Sequence, residues 1–166
     1  KHKSPVGTEI IKEISKKIGI AHSSVKRDLE LLKIERLILE IVEIKGVRKF
    51  PIFSANMESS QYKKYKRLSN LIALNESGII EYLKEKVMPS AIVLFGSYLK
   101  GDDIEDSDID IFIESKKHDV DVSKYEKIFG RKIQLHFLAD FDKYPKELKN
   151  NILNGFVLQG YLEVYK

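Results

Sequence analysis

The stretch AIVLFGSYLKGDDIEDSDIDIFIES, Ala91 to Ser115, is the part of this chain whose reading settles the fold of its second half. It opens on a short apolar run, Ala91 to Phe95, of the kind that fills a buried strand, and passes straight into Gly96 and Ser97. A glycine there leaves room for a phosphate to approach the backbone, and exposed amides together with the Ser97 hydroxyl can grip its oxygens. The second run, Asp108-Ile109-Asp110-Ile111-Phe112-Ile113, alternates, so that Ile109, Ile111 and Ile113 face a core while Asp108 and Asp110 share the opposite face. Two carboxylates so close on a rigid strand repel one another unless a divalent cation lies between them. Mg²⁺, a hard ion that takes oxygen ligands and is usually shared with substrate phosphates, answers that need. The remaining acids of the intervening segment, Asp102, Asp103, Glu105 and Asp106, read as a solvated loop, and Glu114 lies too far along the strand to count as a ligand.

Outward from this stretch, a helix is expected before it, from Ser77 as cap through Ile79, Ile80, Leu83 and Val87, until Pro89 ends it. After it come a helix near Val122 to Phe129, a third strand from Arg131 to Leu138, a helical region from Pro145 to Leu158, and a last turn and strand in Asn154 to Tyr165. Alternation along the third strand turns Ile133, Leu135 and Phe137 to the core and leaves Gln134 and His136 on the face of the aspartates.

The Gly-Ser pair followed by Ser-Asp-Ile-Asp resembles the signature of the minimal nucleotidyltransferases of the DNA polymerase β superfamily, over residues 77 to 166. The resemblance implies a mixed sheet flanked by helices and a nucleoside triphosphate, most often ATP, as substrate. Gly96 and Ser97 would bind its β and γ phosphates, and Asp108 and Asp110 would be the catalytic carboxylates that hold Mg²⁺, in a site that takes two metals. A hydroxyl of a protein, a nucleic acid or a small molecule would attack the α-phosphorus in line and release pyrophosphate. Such domains often work as antitoxins beside small helical HEPN proteins, which makes a protein tyrosine a candidate acceptor. The family places a further Asp on the third strand, and here Gln134 occupies that position. An amide accepts no proton and is a poor ligand for the metal that activates the hydroxyl, so nucleotide binding survives the comparison better than transfer does.

The first half reads differently. Ile10, Ile11, Ile14 and Ile18 recur at helical spacing behind Thr8 as cap, Gly19 stops that helix, and Ser23 or Ser24 caps a second whose buried stripe is Val25, Leu29 and Leu32. Two β-rich runs, Leu37 to Ile44 and Arg48 to Ala55, flank Lys45, Gly46 and Val47 as a hairpin, with Pro51 marking an edge strand. Helix, turn, helix, hairpin resembles the winged helix-turn-helix domains of archaeal and bacterial transcription regulators. Those domains carry another helix before this pair, expected upstream of a chain that starts at Lys1 rather than Met. The resemblance implies DNA as partner, with His22, Ser23, Ser24, Lys26 and Arg27 of the second helix in the major groove and Lys45, Arg48 and Lys49 of the wing on the backbone. It also suggests a homodimer.

The expected organisation is therefore α+β: a winged helix-turn-helix over 1–56, a helical connector over 57–76 and a nucleotidyltransferase domain over 77–166. Charge follows it, at +5 for residues 1–56, +2 for 57–88 and −3 for 89–166, so that the basic end suits a polyanion and the acidic end a cation. With no cysteine and four scattered histidines, disulfides, thiol chemistry and a zinc cage are set aside. No apolar run approaches the roughly 20 residues of a membrane span, and a cytoplasmic protein without membrane partners is expected. Three functions compete: an enzyme that transfers a nucleotide, a DNA-binding regulator whose nucleotide-sensing domain has lost catalytic power through Gln134, and an assembly protein in which neither site is used.

Overall fold

The computed structural model describes residues 7–45 and 48–162. The chain divides into two compact units, Lys1–Tyr62 and Lys63–Lys166. In the first, α1 (Gly7–Ile18) and α2 (His22–Ile34) are joined by a short turn at Gly19 and followed by an antiparallel pair, β1 (Ile38–Lys45) and β2 (Arg48–Ala55), in which Val42 faces Pro51. Among its described residues only Val25 and Leu37 are buried apolar side chains, so its core is thin. The cap expected at Ser23 or Ser24 is displaced, because α2 begins at His22 with Ala21 at the cap position and both serines lie inside its first turn. The tip of the hairpin, Gly46 and Val47, lies outside the described residues.

α3 (Ser60–Glu76) spans the boundary between the units, and its later part places Leu71 and Leu74 on the core of the second. There follow α4 (Ile79–Val87), β3 (Ala91–Phe95), α5 (Gly96–Lys100), β4 (Ile109–Ile113), α6 (Ser123–Phe129), β5 (Ile133–Phe137), a 3-10 turn (Leu138–Lys143), α7 (Lys146–Leu153) and β6 (Phe156–Gly160). The strands form one mixed sheet in the order β5-β4-β3-β6, with β4 and β5 parallel and the other pairs antiparallel. The expected helix to Leu158 ends five residues early. From Phe156 the chain pairs with β3 as an edge strand, and Gly155, whose added Cβ would meet Val93 Cγ1 at 2.4 Å, lets it pass.

Both faces of the sheet are covered. Ile109, Ile111 and Ile113 are fully buried against Leu74, Ile79, Leu83 and Val87 of α3 and α4, with Val122 and Tyr125 beside them. On the other face Val93, Phe95 and Phe112 pack with Ile152 of α7 and with Phe141 and Tyr144. Apolar runs on β3 and β4 are what a strand buried on two faces requires. Asp110 breaks the second face at the start of β4, and there the covering layer gives way to the site.

Candidate functional site

Four backbone segments meet at that end of the sheet. β3 delivers Phe95, whose register partner on β4 is Asp110. The chain then turns at Gly96 with φ +79°, a conformation that side chains other than glycine resist. Its bare Cα face is filled by the neighbouring strand: a Cβ at position 96 would lie 2.4 Å from Asp110 Oδ2. Ser97 follows in α5, partly exposed like Gly96. Asp108 precedes β4 and Asp110 sits within it, both partly exposed, on the side opposite Ile109 and Ile111.

The parallel partner β5 supplies the floor. Gln134 is the register partner of Asp110, and its Nε2 donates to Asp108 Oδ2 at 3.0 Å. His136 Nε2 lies 3.2 Å from Asp110 Oδ1. The imidazole is held between aromatic rings, 5.1 Å from Phe95 and 6.0 Å from Tyr144 by centroids, and the Tyr144 hydroxyl is anchored on the backbone amide and carbonyl of Phe137. Each aspartate thus has one oxygen engaged by a side chain of β5, and the side chain nearest Asp108 there is an amide. A cavity of about 580 Å³ lined by Glu81, Lys84, Glu85, Met88, Pro89 and Gln159 shares none of these residues and carries no comparable set of groups.

The donor set bears on a metal. Among the described residues no group of three or more His, Cys, Asp or Glu is placed to hold one. Two carboxylates serve Mg²⁺ when phosphate oxygens and water fill its remaining positions, so Asp108 and Asp110 fit an ion that arrives with a triphosphate better than a resident one.

The acidic loop is not uniformly solvated, which corrects the expectation from sequence. Asp103 is fully buried. Its carboxylate meets Lys66 Nζ at 3.2 Å, Arg131 Nη2 at 3.1 Å and Asn70 Nδ2 at 2.9 Å. Burial, and then the Asp103 charge, raise the pKa of the neighbouring Tyr98 phenol above its usual value. Asp102 is the exposed partner of Lys63 at 2.8 Å. These partners stand tens of residues away, and no local pattern marks them.

In the first unit, His22, Ser23, Ser24, Lys26 and Arg27 all lie in the first turns of α2. His22, Ser23, Lys26 and Arg27 are exposed, Ser24 is half-buried, and Arg27 pairs with Asp28 at 3.1 Å. The side chains of Lys45, Arg48 and Lys49 lie outside the described residues. No helix of the described residues is long and apolar enough to cross a membrane.

Comparison with known proteins places the second unit. The family model described as "Nucleotidyltransferase domain" matches residues 76–158. A stretch of 61 residues is 39% identical to "Putative protein adenylyltransferase MJ1379" of Methanocaldococcus jannaschii, covering 32% of this chain and 61% of that protein, so the match spans less than two thirds of the relative's length. No solved structure matches the chain. A matched segment that runs from the end of α3 to β6, and contains both aspartates and the glycine turn against them, accounts for half of the sequence: the chain belongs to the nucleotidyltransferase domain family.

Proposed function

We propose that the second unit binds a nucleoside triphosphate together with Mg²⁺ and transfers its nucleotidyl group to a hydroxyl. The observation that carries this reading is the contact of Gly96 with Asp110 beside Asp108, which sets the glycine turn that opens α5 against two carboxylates on one strand face. The amides after Phe95 and the Ser97 hydroxyl hold the β and γ phosphates. Asp108 and Asp110 hold the ion, which when bound neutralises phosphate charge and favours departure of pyrophosphate. In the transfer itself the acceptor oxygen forms a bond to the α-phosphorus, the bond from that phosphorus to the bridging oxygen breaks, and the hydroxyl proton is lost to water. Gln134 orients Asp108 but accepts no proton. The name of the archaeal relative favours ATP as donor and a protein hydroxyl as acceptor. A tyrosine of a small helical HEPN-type partner and a homodimer are carried by the resemblance, and a cytoplasmic location by the composition.

The first unit, in this reading, is a winged helix-turn-helix that sets α2 in a DNA major groove; the exposed Lys26 and Arg27 support it. A second reading, in which the domain senses nucleotide and transfers it poorly, is favoured by the Gln134 amide on Asp108. Calorimetric titration of ATP with and without Mg²⁺, on the wild type and on Asp108→Ala and Asp110→Ala, tests the site. Metal-dependent binding abolished in both variants is expected, and equal binding in all three would sink the proposal. Labelled ATP then separates the two readings, since the sensing reading requires that no label become covalently attached.

A further inference from the structure

Asp108 is the site carboxylate with the least regular backbone support. It lies one residue before β4, at the end of the segment from Gly101 to Ser107. That segment is nevertheless held at several points, and Arg131 joins most of them. Its guanidinium pairs with the buried Asp103 at 3.1 Å, donates to the carbonyl of Ser107 at 3.1 Å and to that of Ile104, and lies 5.8 Å from the centroid of the Tyr98 ring. Ile104 and Ser107 close a turn on each other, through the Ile104 amide to Ser107 Oγ at 2.9 Å and the Ser107 amide to the Ile104 carbonyl at 3.0 Å. At the other end Asp103 is tied to Lys66 and Asn70 of α3, and Asn70 also donates to the Tyr98 carbonyl at 2.8 Å.

We infer that Arg131 is a positioning residue for Asp108: its fork of donors fastens both ends of the turn that precedes this aspartate, and so fixes where the carboxylate meets the metal–triphosphate complex. The inference rests on the reading of Asp108 as a metal ligand. The position needs a planar fork, because three acceptors from Asp103, Ile104 and Ser107 surround one cation; a lysine ammonium can keep the charge pair but not that geometry. Ser107 is the residue immediately before Asp108, so a slack Ser107 carbonyl frees the backbone at the site itself. Groups that orient a metal ligand without touching the metal commonly change metal affinity when replaced.

The test uses the full chain with Arg131→Lys and Arg131→Gln, and Asp108→Asn as reference. Each is titrated with ATP in the presence and absence of Mg²⁺, and amide hydrogen exchange is followed by mass spectrometry over residues 101–108. Arg131→Lys is expected to weaken Mg²⁺-dependent ATP binding about tenfold, the lower end for loss of an orienting partner, to leave metal-free ATP binding unchanged, and to speed exchange over 104–108 while β3 and β4 stay protected. A uniform loss of binding with and without metal, or unchanged exchange over that turn, overturns the inference. So does faster exchange with undiminished metal-dependent binding, provided Asp108→Asn abolishes it. If Asp108→Asn itself leaves metal-dependent binding intact, it is the reading of Asp108 that falls, and with it any role of Arg131 acting through that residue. Arg131→Gln removes the charge as well, and should resemble Arg131→Lys on both readouts if the fork is what matters; a defect confined to Arg131→Gln would assign the role to the charge and overturn the inference.

Discussion

Asp110 rests on the bare Cα face of Gly96, so closely that a Cβ there would stand 2.4 Å from Oδ2. Gly96→Ala therefore meets two penalties, the positive φ and the displacement of Asp110. Gly78 has nearly the same φ, +77°, with nothing within 4 Å of an added Cβ, and isolates the first. Both alanine variants are expected to lose about 1–2 kcal/mol to the left-handed backbone. Only Gly96→Ala should also lose binding of ATP with Mg²⁺. Denaturant unfolding and calorimetry on the pair check this, and equal binding in the two would remove the contact from the site.

Gln134 faces Asp110 in register and bonds Asp108. Gln134→Asp places a third carboxylate beside two others. Without metal it should lower the melting temperature at neutral pH, because like charges oppose one another at short range. Added Mg²⁺ should offset that loss, and covalent labelling by ATP should rise above wild type. If metal has no larger effect on this variant than on wild type, Gln134 does not hold the position of the third carboxylate.

Two adjacent aspartates separate surface from interior. The exposed pair of Asp102 with Lys63 is worth about 0.2–1 kcal/mol, as for most surface ion pairs. Asp103 is fully buried among Lys66, Asn70 and Arg131, and its replacement by Ala leaves two partly buried cations without their shared partner, at a cost of about 3 kcal/mol, the lower end for breaking a buried pair. Unfolding curves of Asp102→Ala and Asp103→Ala should differ accordingly; comparable losses would contradict the burial.

For the first unit, Lys26→Ala combined with Arg27→Ala should weaken binding to duplex DNA and reduce the slope of log affinity against log salt by about 2, near one for each phosphate left without its cation. Fluorescence anisotropy over a salt series measures both. An unchanged slope would exclude these side chains from the interface.

The legible parts of the molecule are those written in short range. Apolar runs bounded by Gly96 placed β3, and the alternation of Ile109, Ile111 and Ile113 with the aspartates placed β4 and the face that carries the site; the same alternation set Gln134 and His136 beside them on β5. Long-range relations were illegible. Asp103 stands in an acidic run that reads as solvated, and its burial depends on Lys66, Asn70 and Arg131, which tertiary structure alone brings together. The helix expected to Leu158 stopped at Leu153, where Asn154 and Gly155 follow it and the strand formers Phe156 and Val157 pair with β3.

The mixed sheet also orders the assembly of the site in time. Phe95 and Asp110 pair across a short connection, so the glycine turn and its aspartate come together as a near-local antiparallel unit. Asp110 and Gln134 pair in parallel only after α6 has crossed over, and Arg131 must in addition find Asp103, held in turn by α3. Parallel, non-local pairing is the slow part of folding because chain entropy is given up before the contacts form. The phosphate side should accordingly mature before the β5 side, leaving a transient species in which both aspartates are present and unrestrained. Pulse-labelled hydrogen exchange during refolding should find amides of β3 and β4 protected ahead of those of β5, and simultaneous protection would show that the two sides condense as one.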